Sequence, residues 1–394
     1  MEADDPHLQS FHRCLQKSRR ILCIVGSGLS ASSGIPTYQL QHGTWHGYTA
    51  LDLATPEAFQ NDPGLVWLFY SSRRYEAMKA KPNEGHFALA ELCRRYPSRM
   101  ATFPPSTGGK GLSGDESSKQ YKHHDINGPP VSGGVSDTTF KGKSALVISQ
   151  NVDGLHQRAG HPQNSLVELH GSLFDMKCTQ FFCNYRTHNE HDLFLTPTLR
   201  TYTPRSSMKK RKRNLAKNSR LEKSPPPKRQ RVDSDASVTD ETTDLENVSH
   251  SSDDLSESTN SSQPDAFPTL DPQELPHCPK CHEGILRPAV VWFGESLPLR
   301  QMDQVDQFFS CGPPVDLVLV IGTSGKVWPA MGYVERVKKN GGKIAIFNTA
   351  IEDIEEVNKS KNVWGFQGDA SKLLPEALKP LIGEHYKPRD WFRR

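Results

Sequence analysis

Four cysteines and a scatter of small polar residues are where this chain could do chemistry. Cys178 and Cys183 have four residues between them, and Cys278 and Cys281 have two. Two such pairs fit a tetrahedral four-thiolate zinc site, whose ligand spacings run from about two to four. A closed shell of four sulfurs leaves no open coordination position, so the role it can play is to hold a module together. The competing reading is a set of buried free thiols. His188, His277 and His282 lie close enough in sequence to compete as ligands, and the cysteines are preferred because together they complete the shell.

A second chemistry is written in glycine. Residues 21–25 are apolar and break into Gly26-Ser27-Gly28, followed by a small polar run through Gly34 and then Pro36. That order reads as a buried strand, a tight turn and a helix start. Gly26, Gly28 and Ala31 hold the G-x-G-x-x-G/A spacing of a dinucleotide-binding turn, in which Gly26 permits the turn and Gly28 lets backbone reach a pyrophosphate. The helix start would point N–H groups at the anion. A plain strand-to-helix turn has the same composition. Tyr70 and Arg73 stand three apart on a predicted helix and so share a face. His170 could act as a proton acceptor near neutrality, or serve as an ordinary structural histidine.

The elements that would position these groups follow from the pattern. Residues 145–149, 315–321 and 343–347 are short apolar strands. They end in Gln150-Asn151, Gly322-Thr323-Ser324 and Asn348-Thr349 respectively. Three buried strands that each deliver small or polar residues at the carboxyl end define the edge where ligands sit in open parallel sheets. Simple turn chemistry is the alternative at each end. Helices are predicted over 7–20, over 51–75 in pieces broken by Pro56 and Pro63, over 83–96, and over 328–339 with Asn340-Gly341-Gly342 as the stop. The fold class is therefore α/β, a doubly wound, Rossmann-like parallel sheet interrupted by a small cysteine-bearing module.

The predicted boundaries are an N-terminal helix over 1–20, the large domain over 21–172 and 284–385, the zinc module over 173–283, and a tail over 386–394. Residues 101–143, rich in Gly, Ser, Lys and Asp, read as a flexible insert, and about 200–270 as a disordered one. The second insert is segregated: Lys and Arg cluster at 209–213 and 228–231, whereas 232–258 holds acids and no Lys or Arg. The clusters point to nuclear import machinery or to nucleic-acid phosphates, against a merely solvated loop. The formal net charge of +3 averages over this segregation, and a hydrophobic content of 35% fits partial disorder. No apolar run is long enough for a membrane span. The first residues carry acids and no apolar core, unlike a secretory signal or an Arg-rich presequence. Eight cysteines without such a signal argue for a reducing compartment.

The run from Gly26 to Tyr38 resembles the NAD-binding signature of the sirtuins, NAD-dependent protein-lysine deacylases. Four further blocks are similar and fall in the family's order: Gln150-Asn151-Val152-Asp153, His170-Gly171-Ser172, 286–295 and Gly322-Thr323-Ser324. The resemblance implies transfer of a lysine acyl group to the ADP-ribose of NAD with release of nicotinamide, and one structural zinc. It makes His170 the proton acceptor, with Asn151 beside it. It implies a cofactor site of Gly26, Ser27, Gly28, Ser30, Ser33, Gly34, Ile35, Pro36, Thr37, Tyr38, Gln39 and Trp45. To these it adds Gln150, Asn151, Val152, Asp153, Gly322, Thr323, Ser324, Asn348, Thr349, Ala350 and Ala370. Val291, Trp292, Phe293, Gly294 and Glu295 resemble the strand that pairs with the substrate peptide. Tyr70 and Arg73, with residues 52–59 ahead of them, resemble the subclass that removes succinyl, malonyl or glutaryl groups. A guanidinium and a phenol suit a carboxylate.

Two positions depart from the pattern. Gln39 stands where the family has arginine and Ser27 where it has alanine. A neutral amide cannot supply the arginine's charge, so Gln39 predicts reduced turnover. The alternatives are a weakly active NAD- or ADP-ribose-binding regulator, or a dehydrogenase sharing the glycine turn, with ADP-ribosyl transfer as a side activity. The N-terminus and basic clusters favour nucleus or cytoplasm, and the subclass resemblance the mitochondrion.

Overall fold

The computed structural model describes residues 5–37, 44–98, 142–200, 269–325 and 328–387. Tyr38, Gln39, the inserts over 101–141 and 201–268, and the tail from 388 lie outside the described residues.

Helix α1, Pro6–Lys17, begins where the Asp5 carboxylate accepts from the His7 N–H at 2.9 Å and Pro6 fixes the first turn. It buries Leu8, Phe11, Cys14 and Leu15 along one stripe. It stops short of the predicted Arg20 because Ser18 turns extended and its hydroxyl donates to the Cys14 carbonyl at 2.9 Å. Strand β1, Arg20–Val25, then enters the centre of a six-stranded sheet. The other strands are β2 (Ser144–Ser149), β3 (Leu166–Glu168), β7 (Leu317–Ile321), β8 (Lys343–Asn348) and β9 (Val363–Gln367). The order is β3-β2-β1-β7-β8-β9, parallel throughout. The short edge strands β3 and β9 carry no strong apolar run, and the sequence analysis did not place them.

Alternate residues of β1 feed two cores, as a central strand covered on both faces requires. Ile21, Cys23 and Val25 pack with α1, α6 (Glu84–Arg95) and α11 (Ala370–Ile382). Leu22 and Ile24 pack with α8 (Leu299–Ser310) and α9 (Ala330–Lys339). The strand order reverses between β1 and β7, which opens a crevice at their carboxyl ends. Helices α2 (Ser27–Ala31) and α7 (Leu155–Arg158) follow β1 and β2 at that edge, and α3 (Ala50–Leu53), α4 (Pro56–Asn61) and the longer α5 (Pro63–Lys79) come between α2 and α6 in the chain. The prolines predicted to break residues 51–75 start α4 and α5, capped by Thr55 and Asp62. Helix α10 is Ile354–Lys359.

A second sheet of three antiparallel strands runs β5-β4-β6, from β4 (Gly171–Cys178), β5 (Arg186–His188) and β6 (Leu286–Val290). Strand β6 thus pairs in the small sheet, although the predicted boundary at 284 assigned it to the large domain. Trp67 on α5 ties the two parts together by donating from Nε1 to the Leu286 carbonyl at 2.8 Å. No helix among the described residues is long and apolar enough to cross a membrane.

Candidate active site

The crevice is assembled by backbone contact before any side chain enters. At the end of β1 the Gly26 N–H donates to the Ile321 carbonyl at 2.9 Å and the Gly28 N–H to the Gly322 carbonyl at 2.8 Å. A Cβ at Gly28 would lie 2.7 Å from the Gly322 Cα, and one at Gly26 2.7 Å from the Gly322 oxygen. The glycines are thus required by the approach of β1 to β7. This corrects two expectations. Gly26 has φ −114°, which any residue can adopt. The N–H groups of Gly28 and Leu29 are engaged by Gly322 and Gly26, so they do not point at a ligand.

Helix α2 carries Ser30 inward, where its buried hydroxyl donates to Asp153 Oδ2 at 2.6 Å. Asn151 Nδ2 donates both to that hydroxyl and to the Gly26 carbonyl, each at 3.0 Å. Asp153 Oδ1 accepts the Leu155 N–H at 2.9 Å, which holds the start of α7. Burial raises the Asp153 pKa, and the Ser30 hydroxyl and Leu155 N–H oppose the rise. Three of the predicted residues are therefore one hydrogen-bonded unit, at the junction of β1 and β2.

Gln150 and His170 form the neighbouring unit. His170 follows β3, and its Nδ1 lies 2.9 Å from the Gln150 carbonyl. A carbonyl only accepts, so Nδ1 carries the proton and Nε2 is left as the basic nitrogen. Burial lowers the His170 pKa, against the carbonyl's opposing effect. The Thr323 hydroxyl donates to Gln150 Oε1 at 3.2 Å, and Asn348 Nδ2 donates to the Thr323 carbonyl at 3.1 Å. Buried Gln150 Nε2 has no hydrogen-bond partner among the described residues. A buried amide donor aimed into a polar crevice fits a ligand that carries carbonyl or hydroxyl oxygens, as NAD does.

The other predicted cofactor residues divide. Ser33, Ile35, Pro36 and Thr37 follow α2 in a loop, with Gly34 at φ 86°. Ser324, Thr349 and Ala350 are exposed at the β7 and β8 ends, and Val152 is buried beside Asn151. Ala370 is buried at the start of α11, next to Asp369, whose carboxylate accepts from the Ser32 hydroxyl beyond α2 at 2.7 Å.

An aromatic wall closes the far side. Trp45 meets Phe69 edge-on with centroids 5.6 Å apart, and Phe69 meets Tyr70 at 5.1 Å. The Arg73 guanidinium lies over Phe69 at 5.3 Å and reaches Glu76 at 3.4 Å. Tyr70 is buried, and its hydroxyl accepts from Trp292 Nε1 at 2.9 Å. Arg74, the competing arginine, turns the other way. It is buried and donates to the carbonyls of Leu173, Asn189 and Asp192.

Residues 291–295 do not form the expected strand. The chain leaves β6 at Val290, the Val291 N–H donates to the His170 carbonyl, and the Phe293 N–H to the Ala54 carbonyl, both at 2.9 Å. Glu295 turns inward, pairing with Arg287 through two bonds of 2.6 and 2.9 Å and accepting the Trp292 N–H at 2.9 Å. A carboxylate so fully engaged fixes a turn, with Gly294 at φ 84°, and presents Phe293 to solvent. Phe69 and Ala54 belong to this wall and were missed, because an apolar helix residue and a backbone carbonyl leave no distinctive signal in sequence.

The four cysteines converge as expected. Their sulfurs lie within 4.8 Å of one another, with Cys178 to Cys281 at 3.7 Å and Cys183 to Cys278 at 3.6 Å. The Gln180 and Gly284 N–H groups point at the Cys178 and Cys281 sulfurs, both at 3.4 Å. A Cβ at Gly284 would crowd the Cys178 sulfur. Sulfurs at this spacing, with amide donors aimed at them, fit a tetrahedral zinc. His188 is instead bonded to Asp175 at 2.6 Å.

The Sir2 family model matches residues 26–102, 134–204 and 249–329. An NAD-dependent protein deacylase from Candida albicans is 43% identical over 378 residues, covering 96% of this chain and 98% of the relative. The mitochondrial NAD-dependent protein deacylase sirtuin-5 of Canis lupus familiaris is 29% identical over 381 residues, covering 96% and 87%. A solved Sir2 homologue–NAD complex shares the fold with a TM-score of 0.56 at 24% identity, covering 95% and 93%. A family model that spans most of the described sheet edge, and a relative of this identity along nearly the whole length, establish that the chain belongs to the Sir2 family.

Proposed function

We propose that this chain is an NAD-dependent protein-lysine deacylase whose aromatic wall receives acidic acyl groups. The observation that carries the reading is the fixed tautomer of His170 beside the Asn151–Ser30–Asp153 unit. NAD, when bound, supplies the electrophilic ribose carbon that takes the acyl oxygen and the nicotinamide that leaves. Gln150, Asn151 and Thr323 would hold its polar groups. His170 Nε2, free of the proton held at Nδ1, accepts a proton from a ribose hydroxyl. Its lowered pKa keeps it neutral, and so basic, through the physiological range. The zinc cluster stands apart from these residues in the small sheet and supplies rigidity.

The acyl preference rests on Arg73 and Tyr70. Arg73 is held across Phe69 and pairs with Glu76 at 3.4 Å, a long and partly exposed contact. A carboxylate entering beside this guanidinium would gain a charge-assisted hydrogen bond. The relatives named sirtuin-5 fit this subclass by likeness. Nicotinamide release measured with acetyl-, succinyl- and malonyl-lysine peptides tests it, with His170→Ala as control. Release with the acidic acyl peptides is expected. Arg73→Met is expected to cut succinyl turnover about 10- to 100-fold relative to acetyl, the worth of one charge-assisted bond of about 1.5–3 kcal/mol. Acetyl-lysine turnover alone would remove the pocket claim, and no turnover with measurable NAD binding would favour a regulatory protein.

The basic clusters at 209–213 and 228–231 support residence in the nucleus through the import machinery. Alanine replacement of both clusters is expected to move a fluorescent fusion of the full chain out of the nucleus. An unchanged distribution would overturn this, and lost RNA or DNA retention with unchanged import would assign the clusters to nucleic acid.

A further inference from the structure

Behind Trp292 lies a feature that the deacylase reading does not use. Strands β5, β4 and β6 place Arg186, Lys177 and Arg287 directly opposite one another in one row. Cross-strand neighbours share a face of a sheet, and like charges so placed repel. One carboxylate answers three cations. Glu295 pairs with Arg287 at 2.6 Å and lies 4.0 Å from Lys177, while Arg186 has no carboxylate within ion-pair distance among the described residues. The other charged side chains on this face, Asp175, His188 and Glu190, satisfy one another in the next row.

Arg287 is buried, Lys177 half-buried and Arg186 exposed. The row lines a cavity of about 690 Å³ that borders the metal cluster at Cys178 and Cys183 and whose walls include Phe59 on α4, Tyr185, Phe181 and Trp292. Phe181 is 91% exposed beside it. A concave site with aromatic walls and three cations that share one carboxylate suits an anionic group carried on an apolar body. Its position says which body. Trp292 forms the shared wall: one side faces the cavity, and its Nε1 bonds the Tyr70 hydroxyl of the acyl pocket. Phe293 and Gly294, which follow Trp292, are exposed.

We propose that this cavity is a docking site for an acidic segment of the protein substrate, so that acyl-lysines with Asp or Glu nearby in sequence are preferred. This rests on the deacylase reading for its consequence, though not for the binding itself. Lys177 and Arg186 would receive the carboxylates, and Arg287 stays committed to Glu295.

Binding and turnover separate the two claims. A fluorescent glutamate- and phenylalanine-containing peptide without lysine is titrated into the full chain, beside a glutamine analogue. Saturable binding that weakens with salt, and about tenfold with Lys177→Gln plus Arg186→Gln, is expected for two partly exposed charge contacts. In turnover, the kcat/KM ratio of glutamate-flanked over glutamine-flanked acyl-lysine peptides is expected to fall about tenfold in the same variant, through KM. Peptide binding lost in the variant would support the site even if no peptide is turned over, which would sink only the deacylase reading. Turnover with a ratio unmoved by the variant would overturn the docking site, as would equal binding of the glutamine analogue. Binding of a polyuridine oligonucleotide through the same two residues, in preference to the peptide, would also overturn it. Circular dichroism and unchanged urea unfolding of the variant would show that the fold is retained.

Discussion

Ser30→Ala removes one hydroxyl from the centre of the site and predicts a stability loss that depends on pH. The wild-type hydroxyl donates to Asp153 at 2.6 Å and accepts from Asn151 at 3.0 Å, and all three groups are buried. Losing a hydrogen bond to a buried carboxylate costs about 1.5–3 kcal/mol and losing a neutral one about 1 kcal/mol. Alanine in place of serine returns a few tenths of a kcal/mol in the short helix α2. The net expectation is a loss of about 2–4 kcal/mol at pH 8. The sign with pH follows from Asp153, whose folded pKa is raised by burial. A carboxyl with a raised folded pKa binds more protons folded than unfolded, so stability falls as pH rises from the unfolded pKa to the folded one. Ser30 stabilises the ionised form, so its removal raises the folded pKa further and steepens that fall. The difference between wild type and variant is therefore greatest at pH 8 and shrinks towards pH 4. Urea unfolding at pH 8, 6 and 4.5 would measure it. A difference that is the same at all three values, or below about 1 kcal/mol at pH 8, would refute a carboxylate held by Ser30.

Other perturbations reach different parts of the site. The acid limb of kcat/KM is expected below pH 6.5, since His170 must be neutral to accept a proton and burial lowers its pKa; a limb at or above 6.5 would contradict the buried base. Gly28→Ala sets a Cβ against Gly322 backbone and is expected to cost about 1–3 kcal/mol by urea unfolding, whereas Ser27→Ala should shift stability by less than about 0.5 kcal/mol. Chelation is expected to raise the number of thiols that react rapidly with a thiol reagent from one, exposed Cys311, to five, as the zinc ligands are released while Cys14, Cys23 and Cys93 stay buried. Four thiols unreactive after chelation, or reactive before it, would argue against a bound metal.

Much of this site was legible because its chemistry sits where strands end. Apolar runs fix β1, β2, β7 and β8, and the residues after each run fall by necessity on one edge of a parallel sheet. The cysteines were legible for a similar reason, since a four-sulfur shell needs all its members and pair spacing survives in sequence. Tyr70 and Arg73 share a helix face, but only the fold shows that Arg74 is taken by three carbonyls of the small sheet's neighbourhood.

Residues 291–295 show what periodicity cannot carry. Val291 and Trp292 are strand formers, and a strand continuing from β6 is the natural expectation. Two tertiary facts override it. Arg287, three residues before the end of β6, reaches forward to Glu295, and the Trp292 N–H closes on the same carboxylate. That ion pair bends the chain and drives the Trp292 indole inward, where the Arg287 guanidinium covers one face and the Tyr70 hydroxyl meets its nitrogen. Glu295 therefore acts on the aromatic wall at a distance, because it fixes the indole that bonds the Tyr70 hydroxyl. Glu295→Gln would leave Arg287 buried with its partner charge removed and is expected to weaken this turn by about 1–3 kcal/mol. If Tyr70 is oriented through Trp292, the same variant also loses discrimination between succinyl- and acetyl-lysine while NAD binding is retained. Discrimination left intact in a destabilised variant would show that Tyr70 holds its place without the turn.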